Sequence, residues 1–93
     1  MFIGLLTLEL LIHDAQSLKD KRTVVNSLLG RLRSRFNVSA AQIDDHDLWQ
    51  RATLAVAVVS NDRTVANTVL NHARDFAEND ERCDVAECRV EIL

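Results

Sequence analysis

Polar residues interrupt the opening run FIGLLTLELLI (Phe2 to Ile12) only at Thr7 and Glu9, on one parity, while Leu6, Leu8, Leu10 and Ile12 occupy the other. A period of two predicts a strand whose even positions face a core. Ile3, Leu5 and Leu11 share the odd face with Thr7 and Glu9, so that face is wetter without being fully polar. From Ser17 to Phe36 the period changes. At about 100° per residue Leu18, Val25, Leu28, Leu29, Leu32 and Phe36 form one stripe, the width expected of a helix lying on a sheet. Ser17 is placed to cap it, with Asp20 three residues on as a capping-box partner.

Val38 to Asp44 is short and poor in large apolar residues, which suits an edge strand. The acidic turn Asp44, Asp45, His46, Asp47 follows, and Leu48 to Arg51 lead into ATLAVAVVS (Ala52 to Ser60). There Leu54, Val56 and Val58 take the core parity and Thr53, Ala55, Ala57 and Val59 the other. Ser60, Asn61 and Asp62 stop that strand and cap a second helix reaching about Glu78, with Val65, Ala66, Val69, Leu70, Ala73 and Phe76 as its stripe. Asn79 to Arg82 is a polar turn. Cys83 to Leu93 alternates again, with Ala86, Cys88, Val90 and Ile92 on one parity and Val85, Glu87, Arg89 and Glu91 on the other.

Strand, helix, strand, strand, helix, strand within 93 residues predicts an α+β, ferredoxin-like β-α-β-β-α-β domain spanning residues 1–93. Two helices would cover one face of a four-stranded antiparallel sheet in the order 4-1-3-2, with the two most apolar strands at its centre; the alternative is a sheet of the same elements in a different order, because pattern fixes elements better than topology. The length allows one core and not two. No apolar run is long enough to span a bilayer, and the first residues lack the pattern of a signal peptide. Cys83 and Cys88, five apart in one expected strand, are expected on opposite faces and so unable to bridge. Free thiols fit a reducing compartment, and the expected location is the cytoplasm.

Charge alters this picture at one place. The chain carries a net −3, yet six of its eleven Lys and Arg residues lie in the first helix: Lys19, Lys21, Arg22, Arg31, Arg33 and Arg35, against Asp20 alone. Lys19, Arg22 and Arg33 flank one side of the apolar stripe and Arg31 and Arg35 the other. Lys21 points to the apolar side, where its stem must snorkel past the sheet edge or its ammonium must meet an acid. The topology brings this helix start to the acidic turn, with Asp80, Glu81 and Arg82 close by. Partly exposed salt bridges are the plainest outcome there. A second reading makes Asp44, Asp45, His46 and Asp47 a divalent-cation site, although neither EF-hand spacing nor a carboxylate–histidine motif is present. A third makes the helix cations a contact for RNA phosphates, with a homo-oligomeric module whose basic helix meets an acidic protein partner as its alternative and a metal-assisted enzyme at the hairpin as a distant one.

Catalysis has no motif behind it: only Gly4 and Gly30 are glycines, there is no nucleophile elbow, and His13, His46 and His72 lack an evident Ser or Cys partner. Neither a cofactor nor a small-molecule substrate is indicated. The uncovered sheet face lacks the aromatics that stack RNA bases in related folds. Its Ile3, Leu5, Ala55 and Ala57, with Trp49 on the same parity, fit a homodimer contact better, Trp49 serving as anchor or as a cover over the end of the core.

The segments SLKDKR (Ser17 to Arg22), RFNVSAAQID (Arg35 to Asp44) and above all DLWQRATLAVAVVSND (Asp47 to Asp62) resemble the YlxP-like proteins, domain of unknown function family 503. The likeness covers essentially the whole chain. It implies a small bacterial protein of ferredoxin-like fold with no assigned activity. Genes of such proteins often lie beside transcription-elongation, translation-initiation and ribosome-maturation genes, which implies a connection to RNA or the ribosome. Ser17, Leu18, Lys19, Lys21, Arg22, Asp47, Leu48, Arg51 and Ser60 match the recurrent motifs, whereas Asp20 and His46 stand where close relatives vary.

Overall fold

Alternating and helical patterns each produce the element expected of them. The computed structural model describes Met1 to Leu93 as β1 (Phe2–Ile12), α1 (Leu18–Arg35), β2 (Ser39–Asp44), β3 (Arg51–Ser60), α2 (Arg63–Glu78) and β4 (Cys83–Ile92). β1 pairs antiparallel with both β3 and β4, and β2 joins the outer edge of β3. The sheet order β2-β3-β1-β4 is the expected 4-1-3-2 read from the other end. This α+β, ferredoxin-like arrangement puts the helices over one face.

On that face Leu6, Leu8, Leu10 and Ile12 of β1 and Leu54, Val56 and Val58 of β3 are buried against Val25, Leu28, Leu29 and Leu32 of α1 and Leu70 of α2. Each such side chain contributes about 1.5–3 kcal/mol relative to exposure, which is why the even parity of β1 cannot be exchanged for the odd one. α1 packs mainly over β2, while α2 covers β4, β1 and β3. Phe36 and Phe76 close one end edge to face, their ring centroids 6.0 Å apart.

The α2 stripe differs in detail from the expected one. Its buried residues are Ala66, Leu70, Ala73 and Ala77, and Val65 is exposed. These small residues let the helix lie close to the sheet. Gly4 completes the fit: a Cβ built there would stand 2.8 Å from Leu70 Cδ1 and 3.0 Å from Val58 Cγ1. Asp62 caps α2, its carboxylate accepting from the N–H groups of Thr64 and Val65. Ser17 caps α1 by accepting from the Asp20 N–H, while the Asp20 carboxylate reaches back to the N–H of Gln16.

Two bulges reset the parities. Leu10 lies opposite Val85 but Leu8 lies opposite Cys88, so β4 carries one residue more than β1 at this step. Cys83 and Cys88 therefore face partners of the same parity, Ile12 and Leu8, and not opposite sides as a regular strand requires. Both thiols are free, Cys83 buried and Cys88 exposed on the outer strand. Burial pushes the Cys83 thiol up to about 11, which leaves it inert as a nucleophile. On the other edge Gln42 faces Leu54 and Asp44 faces Thr53, which leaves Ile43 as the extra residue. No helix is long and apolar enough to cross a membrane.

The Gly4 contact has a direct consequence. Gly4→Ala is expected to destabilise the fold by about 1–3 kcal/mol, because neither Leu70 nor Val58 can withdraw without opening the core. Gly30→Ala, with nothing within 4 Å of the added carbon, is expected to stabilise it by about 1 kcal/mol through helix propensity alone. Urea unfolding midpoints of the two variants should shift in opposite directions.

Candidate functional site

The first turn of α1 carries a cation where the apolar stripe meets the sheet edge, and the chain resolves that conflict with backbone carbonyls. Lys21 is 2% exposed. Its ammonium donates to the carbonyls of Asp45 and Leu48, in the loop between β2 and β3. Lys21 therefore neither snorkels nor pairs with a carboxylate, and the surface patch expected of six cations has five. Burial pulls its pKa down, while the nearby charges of Asp45 and Asp47 act in the opposite sense.

The loop is shaped to present those carbonyls. Asp45 adopts a left-handed φ of 65°, a conformation Asp tolerates better than most residues. Its carboxylate accepts from the Thr53 hydroxyl at 2.9 Å, its N–H donates to Asp44 Oδ1 at 2.8 Å, and its carbonyl also accepts from the Leu48 N–H. The Asp44 and Asp45 carboxylates are thus engaged within the hairpin and its strand, and no three ligand-type side chains converge in the structure. Leu48 and Trp49 project outward, Trp49 at 52% exposure, so the indole does not cover the core.

The remaining cations of α1 divide by task. Lys19, Arg22 and Arg31 are exposed. Arg33 sends Nε and Nη2 to the carbonyl of Ala40 on the edge strand, at 3.1 and 2.6 Å. Arg35 lies over the Phe76 ring, 5.4 Å from its centroid. None of them makes an ion pair: the salt bridges involve His13, Arg74, Arg82 and Arg89. The expected salt bridges between α1 and the acidic hairpin are absent because Lys21 takes carbonyls and Arg22 points into a groove. That groove, about 500 Å³, runs between α1 and the β2–β3 hairpin, with Arg22, Asn26, Leu29 and Arg33 on one wall and Gln42, His46 and Asp47 on the other.

Three arrangements lie outside the sequence-based expectations. Asp80, almost buried, is gripped by the Arg82 guanidinium at 2.7 Å, and Arg82 also reaches Ser27 of α1. The hydrogen bonds from Arg82 hold the Asp80 carboxyl below its usual range. Glu9 and Glu87 stand directly opposite on the uncovered face. A hydrogen bond to Glu87, with the repulsion between the two, raises the Glu9 pKa. His13 places Nε2 2.7 Å from Asp84 Oδ2 and Nδ1 3.1 Å from the carbonyl oxygen of Glu81. Both partners only accept, so the imidazolium alone satisfies both contacts. The strand order was the available signal, since it sets the end of β1 beside the start of β4.

The model of the DUF503 family, described as a protein of unknown function, matches residues 3–90. The uncharacterized protein YlxP of Bacillus subtilis (strain 168) is 38% identical over 77 residues, which cover 83% of this chain and 84% of that protein.

Two outcomes follow from the buried and paired cations. Lys21→Met keeps the stem but strands the Asp45 and Leu48 carbonyls, and is expected to cost about 1–3 kcal/mol in chemical unfolding. A variant as stable as wild type would show that the ammonium does not tie the loop. The Asp84 hydrogen bond raises the His13 pKa above its ordinary 6.5. The stabilisation is therefore complete below that value and is lost as pH rises through the raised one. The stability gap between wild type and His13→Gln should close with rising pH; a gap independent of pH would contradict the imidazolium assignment.

Proposed function

This chain belongs to the DUF503 family of proteins of unknown function, and on that footing we propose that it is a non-enzymatic binding protein that contacts structured RNA or the ribosome through α1. One observation carries this reading: in a chain of net charge −3, the exposed cations of α1 have no carboxylate partner. A row of uncompensated cations on a rigid helix is an electrostatic footprint for phosphates. Lys21 stays out of the contact, because its ammonium organises the loop beside it.

Cosedimentation with ribosomal subunits at low and moderate salt tests the reading. Wild type is expected to pellet with one subunit, and a Lys19→Glu, Arg22→Glu, Arg31→Glu variant to remain in the supernatant. Arg33 is left unchanged because it holds the edge strand. Failure of wild type to pellet at low salt would overturn the ribosome contact.

A second reading, a homodimer through the uncovered face, draws on a different observation. Val59 is 65% exposed beside Ile3, and Ile3, Leu5, Ala55 and Ala57 are only half-buried, since both helices occupy the other face. Trp49, exposed at the entry to β3, would widen that contact. Sedimentation velocity should then show a dimer that Leu5→Glu dissociates; a wild-type monomer at every concentration would exclude it.

A further inference from the structure

We propose that the groove between α1 and the β2–β3 hairpin is a binding site for an unpaired, single-stranded stretch of RNA, with Arg22 and Arg33 meeting separate backbone phosphates and Asn26 facing a base between them. The proposal rests on the RNA reading above and names the form of RNA that fits.

Arg22, Asn26, Leu29 and Arg33 fall on one stripe of α1 and all line the groove. Eleven residues separate the two arginines, which at the helical rise puts them about 16 Å apart along the axis. One anion cannot bridge that span, whereas successive phosphates of a strand can. Arg33 binds Ala40 through Nε and Nη2, so Nη1 remains for a ligand.

Between the arginines the lining turns from charge to shape and hydrogen bonding. Leu29 supplies an apolar floor and Asn26 an amide with a donor and an acceptor side by side. Across the groove Gln42 donates to the Asp44 carbonyl at 3.0 Å, which leaves its side-chain oxygen to accept. Amides of this kind recognise base edges. Only an unpaired base offers its Watson–Crick edge to them. Asp47, on the hairpin wall, repels phosphate and keeps a strand's backbone on the α1 side.

The chief competitor, an extended peptide added to the edge of β2, is disfavoured by the same arginine. Arg33 occupies the Ala40 carbonyl, and side chains that tie up an edge strand oppose pairing with a further strand.

The test uses the full chain with labelled oligouridylate, a duplex RNA of equal length and oligoglutamate, read by fluorescence anisotropy and by NMR shifts of the backbone amides. Oligouridylate is expected to bind more tightly than either competitor and to shift Arg22, Asn26, Gln42 and His46. Asn26→Leu, which changes no charge and suits a helix, is expected to weaken single-strand binding about tenfold, the scale of one lost base contact, with circular dichroism unchanged. Lys19→Glu, outside the groove lining, should weaken single-strand and duplex binding alike. If duplex binds as well as single strand and Asn26→Leu has no effect, the groove assignment falls while the RNA reading stands. Equal binding of oligoglutamate overturns the preference for nucleic acid. Binding of neither RNA removes both.

Discussion

An ammonium group buried between a helix and a hairpin is the contact on which this molecule's distinctive end depends. Removing a charge from water costs several kcal/mol unless hydrogen bonds replace the lost hydration. Lys21 meets that demand with the carbonyls of Asp45 and Leu48. Those carbonyls converge only because Asp45 takes a left-handed conformation and its carboxylate is held by Thr53. The lysine and the loop therefore specify each other. The groove beside them exists because the loop is drawn onto α1.

The same economy of polar groups runs through the rest of the fold. Arg33 is joined to the edge strand, Arg35 to an aromatic ring, and Arg82 to both Asp80 and α1. What remains uncompensated is a subset of the α1 cations, and the interest of the surface comes from that subset. A cation with a structural partner is held in place, whereas the side chains of Lys19, Arg22 and Arg31 make no hydrogen bond or ion pair within the chain, although the charge of Arg31 helps hold the Asp80 carboxyl below its usual range. In the acidic hairpin next to this patch, Asp44 accepts from the Asp45 N–H and Asp45 from the Thr53 hydroxyl, while the carbonyls of Asp45 and Leu48 go to the lysine.

The two sheet edges show how a small domain manages exposed strands. β2 is short, bulged at Ile43 and held by Arg33, while β4 is bulged and carries Glu87, Arg89 and Glu91. Bulges and charges of this kind discourage pairing with a further strand. They also create the features that a regular alternation would not, such as the common side of Cys83 and Cys88.

Much of this was written into local patterns. Leu6, Leu8, Leu10 and Ile12 announce one buried face, the stripe from Val25 to Leu32 announces α1, and Ser17 and Asp62 mark the helix starts, because periodicity and capping act between residues near in sequence. The strand order is the usual one for this succession of elements, and the apolarity of β1 and β3 agrees with their central places in it. The fate of Lys21 was not legible, since only the closed structure brings the Asp45 and Leu48 carbonyls to it. Nor were the bulges, the His13 contacts or the Glu9–Glu87 pair, which depend on register between strands distant in the chain. Local pattern thus fixes the elements, the core faces of β1, β3 and α1, and the concentration of positive charge on one helix. Which of those charges are held inside the fold and which stand free is settled by the folded chain, because hydrogen-bond partners are allotted by distance in space.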